Sequence, residues 1–240
     1  MQNDNYGNYG TRTFEEEYAT IKGMNAFISK VFGWMFIGLL FSAGVAYYVS
    51  TNVNILSIVF GNTFLLFGLF IGEVILVSVL SARITKLRYG TAISMFLVYA
   101  ALNGITLSVI FLAYTGQTIV TSFVITAATF GAMCVYGYLT KADLTQFRGI
   151  LFMGLIGLLI LSIVNIFLRS SGVEWFISII SLFVFLGLTA YDMQKLKAYY
   201  FGTEGNQVLR GNLGIIGALS LYLDFINLFL TVLRLFGRRK

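Results

Sequence analysis

Polar breaks divide an otherwise apolar chain into segments of bilayer depth. No charged residue lies between Lys30 and Glu73, and the run Ser50-Thr51-Asn52-Val53-Asn54 splits that stretch in two. A second charge-free stretch, between Tyr89 and Thr140, is broken at Thr115-Gly116-Gln117. A spanning helix needs roughly 20 apolar residues. The pattern predicts seven such helices: Ala26–Val49, Ile55–Ala82, Tyr89–Tyr114, Ile119–Leu139, Gly149–Leu168, Glu174–Gln194 and Leu213–Phe236. These runs are too long for strands and lack the two-residue alternation of a membrane barrel. The expected fold is an all-α integral membrane bundle over residues 26–236. A flexible amino-terminal tail is expected over 1–25 and a short basic tail over 237–240. Met1–Asn25 lacks the charged, apolar and cleavage-site order of a removable signal.

Composition agrees with lipid as the solvent. Hydrophobic residues make up 58% of the 240 and charged ones 11%, against roughly 25% charged in an ordinary globular domain. The net charge of +6 does not signal nucleic acid, because the cations flank apolar runs and do not cluster on a soluble face. They set topology instead. Arg12, Lys22, Lys30, Arg83, Lys86, Arg88, Lys141, Arg148, Lys195, Lys197 and Arg210 fall on one side, and only Arg169 falls in the opposite turns. Orientation follows such a bias, which puts the amino terminus in the cytoplasm. Seven full crossings would place the basic end Arg238-Arg239-Lys240 outside, against the same rule, so the side of the carboxyl terminus stays open. A bacterial plasma membrane is the expected location.

Most site chemistries are excluded. Cys134 is the sole cysteine and histidine is absent, which removes disulfides, thiolate metal clusters and imidazole as ligand, base or pH switch. No phosphate-binding GxxxxGK loop occurs. Serine proteolysis has no histidine base. Tyr191-Asp192 resembles one element of intramembrane aspartyl proteases, but Leu223-Asp224-Phe225 lacks the glycine-rich context of their second aspartate. No enzymatic activity and no cofactor are expected. Proline is absent too, so the 25 glycines are the sites for close helix approach or local unwinding.

Glu73, Arg83, Asp192, Asp224 and Arg234 lie inside or at the edge of the predicted spans. A charge at the bilayer centre costs about 2.5–3.5 kcal/mol on insertion scales, so such residues face the bundle interior and find partners. Glu73 precedes Arg83 by ten residues, as Asp224 precedes Arg234, an axial offset of about 15 Å in each case. Were the second and seventh helices neighbours, Arg83 would share an inner level with Asp224, and Glu73 an outer level with Arg234. Asp192, near the inner end of the sixth span, would join the inner level. Two aspartates within a few ångströms cannot both ionise cheaply and would share a proton. That supplies a pH sensor without histidine. Their carboxylate oxygens are also hard ligands suited to calcium, and an acidic constriction suits a cation channel.

The string Ala218-Leu219-Ser220-Leu221-Tyr222-Leu223-Asp224-Phe225-Ile226-Asn227-Leu228-Phe229 resembles the last-helix signature of the Bax inhibitor-1 family, the transmembrane Bax-inhibitor-motif (TMBIM) proteins. Thr189-Ala190-Tyr191-Asp192-Met193-Gln194 and Asn103-Gly104-Ile105-Thr106-Leu107-Ser108 resemble its sixth- and third-helix motifs, in the right order. The resemblance covers nearly the whole chain after its first twenty or so residues. It implies six helices around a central hydrophobic seventh, and a pH-sensitive calcium leak with Asp192 and Asp224 as sensor. It also implies an arginine latch from the second helix, for which Arg83 is the match and Lys86 or Arg88 the alternatives. Family members are further described as partners of cell-death regulators or of a membrane quality-control protease. A regulator acting through protein contacts is therefore the rival expectation, with Met1–Asn25 as its handle, and a proton-coupled exchanger is a third.

Overall fold

The structure, a computed structural model, describes residues 7–237, with side chains from residue 16 onward. The chain forms α1 (Gly7–Thr51), α2 (Val53–Gly61), α3 (Thr63–Arg83), α4 (Tyr89–Leu107), α5 (Val109–Ala113) and α6 (Gly116–Leu139). A 3-10 turn (Leu144–Phe147), α7 (Arg148–Leu168), α8 (Ser171–Phe201) and α9 (Gln207–Phe236) follow. Seven segments are long and apolar enough to cross a bilayer, and there is no strand among the described residues.

Several boundaries differ from those the sequence predicts, three of them for a clear local reason. Helix α1 begins at Gly7, so much of the segment expected to be a flexible tail is helical. No proline interrupts it, and its charged residues are good helix formers. The second predicted span, Ile55–Ala82, is two helices. Asn62 takes an extended backbone (φ −117°, ψ 106°), and its Oδ1 accepts from the Phe64 and Leu65 N–H groups, the geometry of an N-cap. Asn52 caps α2 in the same way through Ile55 N at 3.3 Å. In the third span, Ser108 donates to the Ile105 carbonyl at 2.7 Å, and the helix is interrupted there between α4 and α5.

Helix α9 is the core. It packs against α8, α1, α6 and α4, and most of its length is buried. Buried apolar residues fall on every face of it, the condition for a helix enclosed on all sides. Phe96 and Tyr99 of α4 meet the Tyr222 ring edge-on at 5.8 and 5.9 Å. Helices α3 and α7 form an outer layer, packed on α4 and α8 respectively, and present apolar side chains outward. The central helix thus has four direct walls and two outlying members.

Asn212, near the start of α9 and 1% exposed, joins layers. Its Nδ2 donates to the Ile84 carbonyl at 2.9 Å and the Leu87 carbonyl at 2.8 Å, which satisfies backbone acceptors left over where α3 ends. Asn212→Ala should strip both bonds at once. An unsatisfied buried group costs about 1–3 kcal/mol, so a clear drop in the detergent melting temperature is expected. A melting curve that overlays the parent's would show the contact to be neutral.

Candidate functional site

The geometry of interest lies between α8 and α9, which pack closely because their contact face is small and apolar. Gly217 of α9 sits against Leu196 of α8, and Gly137 of α6 against Ala190 of α8. Within that interface Asp192 projects from α8 and Asp224 from α9. Asp224 is 5% exposed, and its Oδ2 has no hydrogen-bond partner among the described residues. The Asp192 carboxylate is the acidic charge that acts on it. Asp224 in turn acts on the buried Cys134 thiol of α6. Ser220, one turn before Asp224, stands beside Asp192. The two aspartates therefore sit close enough to interact, inside the protein.

Their cationic neighbour is Lys195. Its Nζ lies 3.7 Å from Asp192 Oδ1, with side chains 35% and 15% exposed, and stands over the Tyr191 and Tyr199 rings at 5.9 and 5.5 Å. The ammonium also acts on Asp224. A signal for this was present in the sequence: residues three apart on a helix share a face, so Asp192 and Lys195 had to be neighbours. Counting Lys195 among the topology-setting cations hid it.

Arg83 is placed otherwise. It is exposed at the last turn of α3 and, among the described residues, pairs with neither aspartate. Lys86 and Arg88 are exposed in the following turn. The expected outer pair, Glu73 with Arg234, is not formed. Helix α3 packs on α4 and not on α9, so α4 stands between the helices that the axial arithmetic had set side by side. Glu73, 8% exposed, instead accepts from Thr106 Oγ1 at 2.7 Å, with the Asn103 side chain beside it. Arg234 has Glu174 and Tyr114 as its neighbours, beside a cleft of about 240 Å³ that includes Ser171, Trp175 and Ser178.

Around the site the loop at residues 140–144 is tied to α8. Gln194 Nε2 donates to the Ala142 carbonyl at 2.8 Å, and its Oε1 accepts from Leu144 N at 2.9 Å. Lys197 donates to the Tyr138 carbonyl and lies 4.7 Å from the centre of that ring. Asp143, in the loop itself, caps the 3-10 turn through Thr145, whose hydroxyl and N–H hold its carboxyl below the ordinary range. The turn of α8 that carries Asp192 and Lys195 is thereby held from both neighbouring elements.

As a resident metal site the pair is incomplete. Calcium takes six to eight oxygens, and no group of three or more acidic, thiol or imidazole side chains is gathered among the described residues.

Comparison with known proteins agrees with this architecture. A family model described as "Inhibitor of apoptosis-promoting Bax1" matches residues 24–240. The inner membrane protein YbhL of Escherichia coli K12 is 47% identical over 220 residues, covering 91% of this chain and 94% of its own. A protein of Borreliella burgdorferi is 44% identical over 228 residues, with 95% and 97% covered. Rickettsia prowazekii RP147 is 39% identical over 236 residues, covering 95% of this chain and 94% of its own. The chain belongs to the Bax inhibitor-1 (TMBIM) family of multi-pass integral membrane proteins.

Proposed function

We propose that this protein is a cation leak pathway, conducting calcium as its substrate, in which Asp192 and Asp224 share a proton that sets the gate. The observation carrying the reading is the meeting of two carboxylates from different helices within the bundle, one of whose oxygens is buried without a partner. Such a pair holds one proton more readily than none, and its protonation changes the charge that Lys195 faces. Deprotonated, it grips the ammonium in a charge-assisted contact and ties α8 to α9, closing the path. Protonated, it releases that contact. Lys195 thus takes the position that the family resemblance gives to an arginine. In this reading the amino terminus is cytoplasmic, the basic end of the bundle faces the inner leaflet, and the membrane is a bacterial plasma membrane, the relative YbhL being an inner membrane protein.

Liposomes loaded with a calcium dye test this directly. Purified protein should leak faster at mildly acidic than at mildly alkaline pH. Asp192→Asn and Asp224→Asn should each flatten that dependence, because an amide neither ionises nor holds the ammonium. Equal flux in protein-bearing and empty vesicles at every pH would remove the channel reading. It would favour a regulator acting through protein contacts, a reading that the family description "Inhibitor of apoptosis-promoting Bax1" supports. A proton-sensitive dye in the same vesicles would register an exchanger.

A further inference from the structure

A polar chain crosses four helices near mid-depth, on the opposite side of α9 from the aspartate pair. Ser42 Oγ of α1 lies 2.6 Å from the Ala100 carbonyl oxygen and 2.7 Å from the Tyr222 hydroxyl of α9. That hydroxyl lies 2.9 Å from Asn103 Oδ1 of α4. The Asn103 side chain also faces Glu73 of α3, whose Oε1 accepts from Thr106. Ser42 and Tyr222 are 1% and 0% exposed, so each contact must be met within the protein.

The hydrogens can be counted. Three short contacts, Ala100 to Ser42, Ser42 to Tyr222 and Tyr222 to Asn103 Oδ1, share two hydroxyl hydrogens. With Asn103 turned so that its NH2 faces Glu73, one contact is left as oxygen against oxygen. An amide rotated end for end fills the same space. The NH2 then donates to Tyr222, Tyr222 to Ser42, and Ser42 to the Ala100 carbonyl, and all three contacts are made. Asn103 Oδ1 now faces Glu73, which can donate only as a carboxylic acid. The network closes with a proton on Glu73 and is one hydrogen short without it. The titratable side chains that Glu73 faces are Tyr99 on α4 and Tyr222 on α9. Helix α2, also packed on α3, has no titratable residue. No cation pairs with Glu73 among the described residues.

We propose that Glu73 is a proton-binding site separate from Asp192 and Asp224, and that its proton sets the Asn103 amide and so fastens α9 to α1 and α4 through Tyr222. Its consequence for conduction rests on the leak reading: Asp224 lies two residues beyond Tyr222, so this proton steadies the helix bearing half of the gate. The proton site itself does not depend on flux.

Infrared spectra of the purified protein at neutral pH, with the carboxyl carbons of Glu or of Asp isotopically labelled, provide the test. A protonated-carboxyl stretch should shift on Glu labelling and vanish in Glu73→Gln. Glu73→Gln should keep the parent's melting temperature at neutral pH, since its amide still donates to Asn103 and accepts from Thr106. The parent should lose stability as the pH is raised, because the folded state then gives up a proton it holds, and Glu73→Gln should not. Tyr222→Phe should move the stretch without abolishing it. A spectrum indifferent to Glu labelling overturns the proposal even if Glu73→Gln fails to fold, as does an unchanged alkaline slope in a folded Glu73→Gln. Absence of calcium flux would leave the labelled band in place, and so would count against the leak alone.

Discussion

Gly137→Leu is expected to abolish the properly folded protein. A Cβ at position 137 would overlap the Ala190 carbonyl of α8 and come within 2.9 Å of its Cα. The obstacle is backbone, which cannot rotate aside, so α6 and α8 must separate. Overpacking by a few methylenes costs about 1–3 kcal/mol even where side chains can adjust. Here a whole isobutyl group meets a main chain. Alanine at the same position should lower the melting temperature clearly, and leucine should leave little monodisperse protein after size exclusion in detergent. Ala190 lies two residues before Asp192, so Gly137→Ala should also disturb the pH profile of any leak. Gly44→Ala is the control, because nothing lies within 4 Å of the space its Cβ would fill. Equal recovery of both alanine variants would show that α6 and α8 can part at this point without cost.

The features legible in the sequence are those that depend on depth along one axis. Hydropathy runs along the chain, so seven crossings and their approximate limits could be read from it. Lateral order could not. Nothing in the spacing of Glu73, Arg83, Asp224 and Arg234 says that α4 separates α3 from α9, or that Glu73 stands beside Asn103, whose Oδ1 meets the Tyr222 hydroxyl, well short of Arg234 along α9. Asn62 was legible in principle as a capping residue, but it lies within an apolar run where the hydropathy signal outweighs the cap. The last-helix string pointed to both the buried helix and Asp224. A segment apolar on every face belongs at the centre of a bundle, and an acid kept at its middle is then enclosed by protein. Lys195 went unnoticed for the opposite reason: a lysine at a helix end has an ordinary use, and only its three-residue offset from Asp192 distinguished it.

Lys195→Met should raise the calcium leak at alkaline pH, whereas Arg83→Ala should leave it close to the parent's. The lysine's ammonium is 3.7 Å from Asp192 and the arginine is exposed at the end of α3. Methionine keeps the length and apolar stem that pack beside Tyr191 and Tyr199, so the charge is the main thing removed. Both partners retain some solvent exposure, which screens the contact. A pair of this kind is worth about 1 kcal/mol, or about fivefold in the ratio of open to closed. At acidic pH the two proteins should converge, since a protonated aspartate pair has little grip on either side chain. Lys195→Arg should restore most of the closure, as a guanidinium can reach the same carboxylate. A larger rise from Arg83→Ala than from Lys195→Met would give the lock back to the second helix, and would require α3 to swing toward α9 in the closed state. Equal leak in all four proteins at alkaline pH would mean that no cation closes the path, and that any pH dependence arises from the carboxyl pair alone.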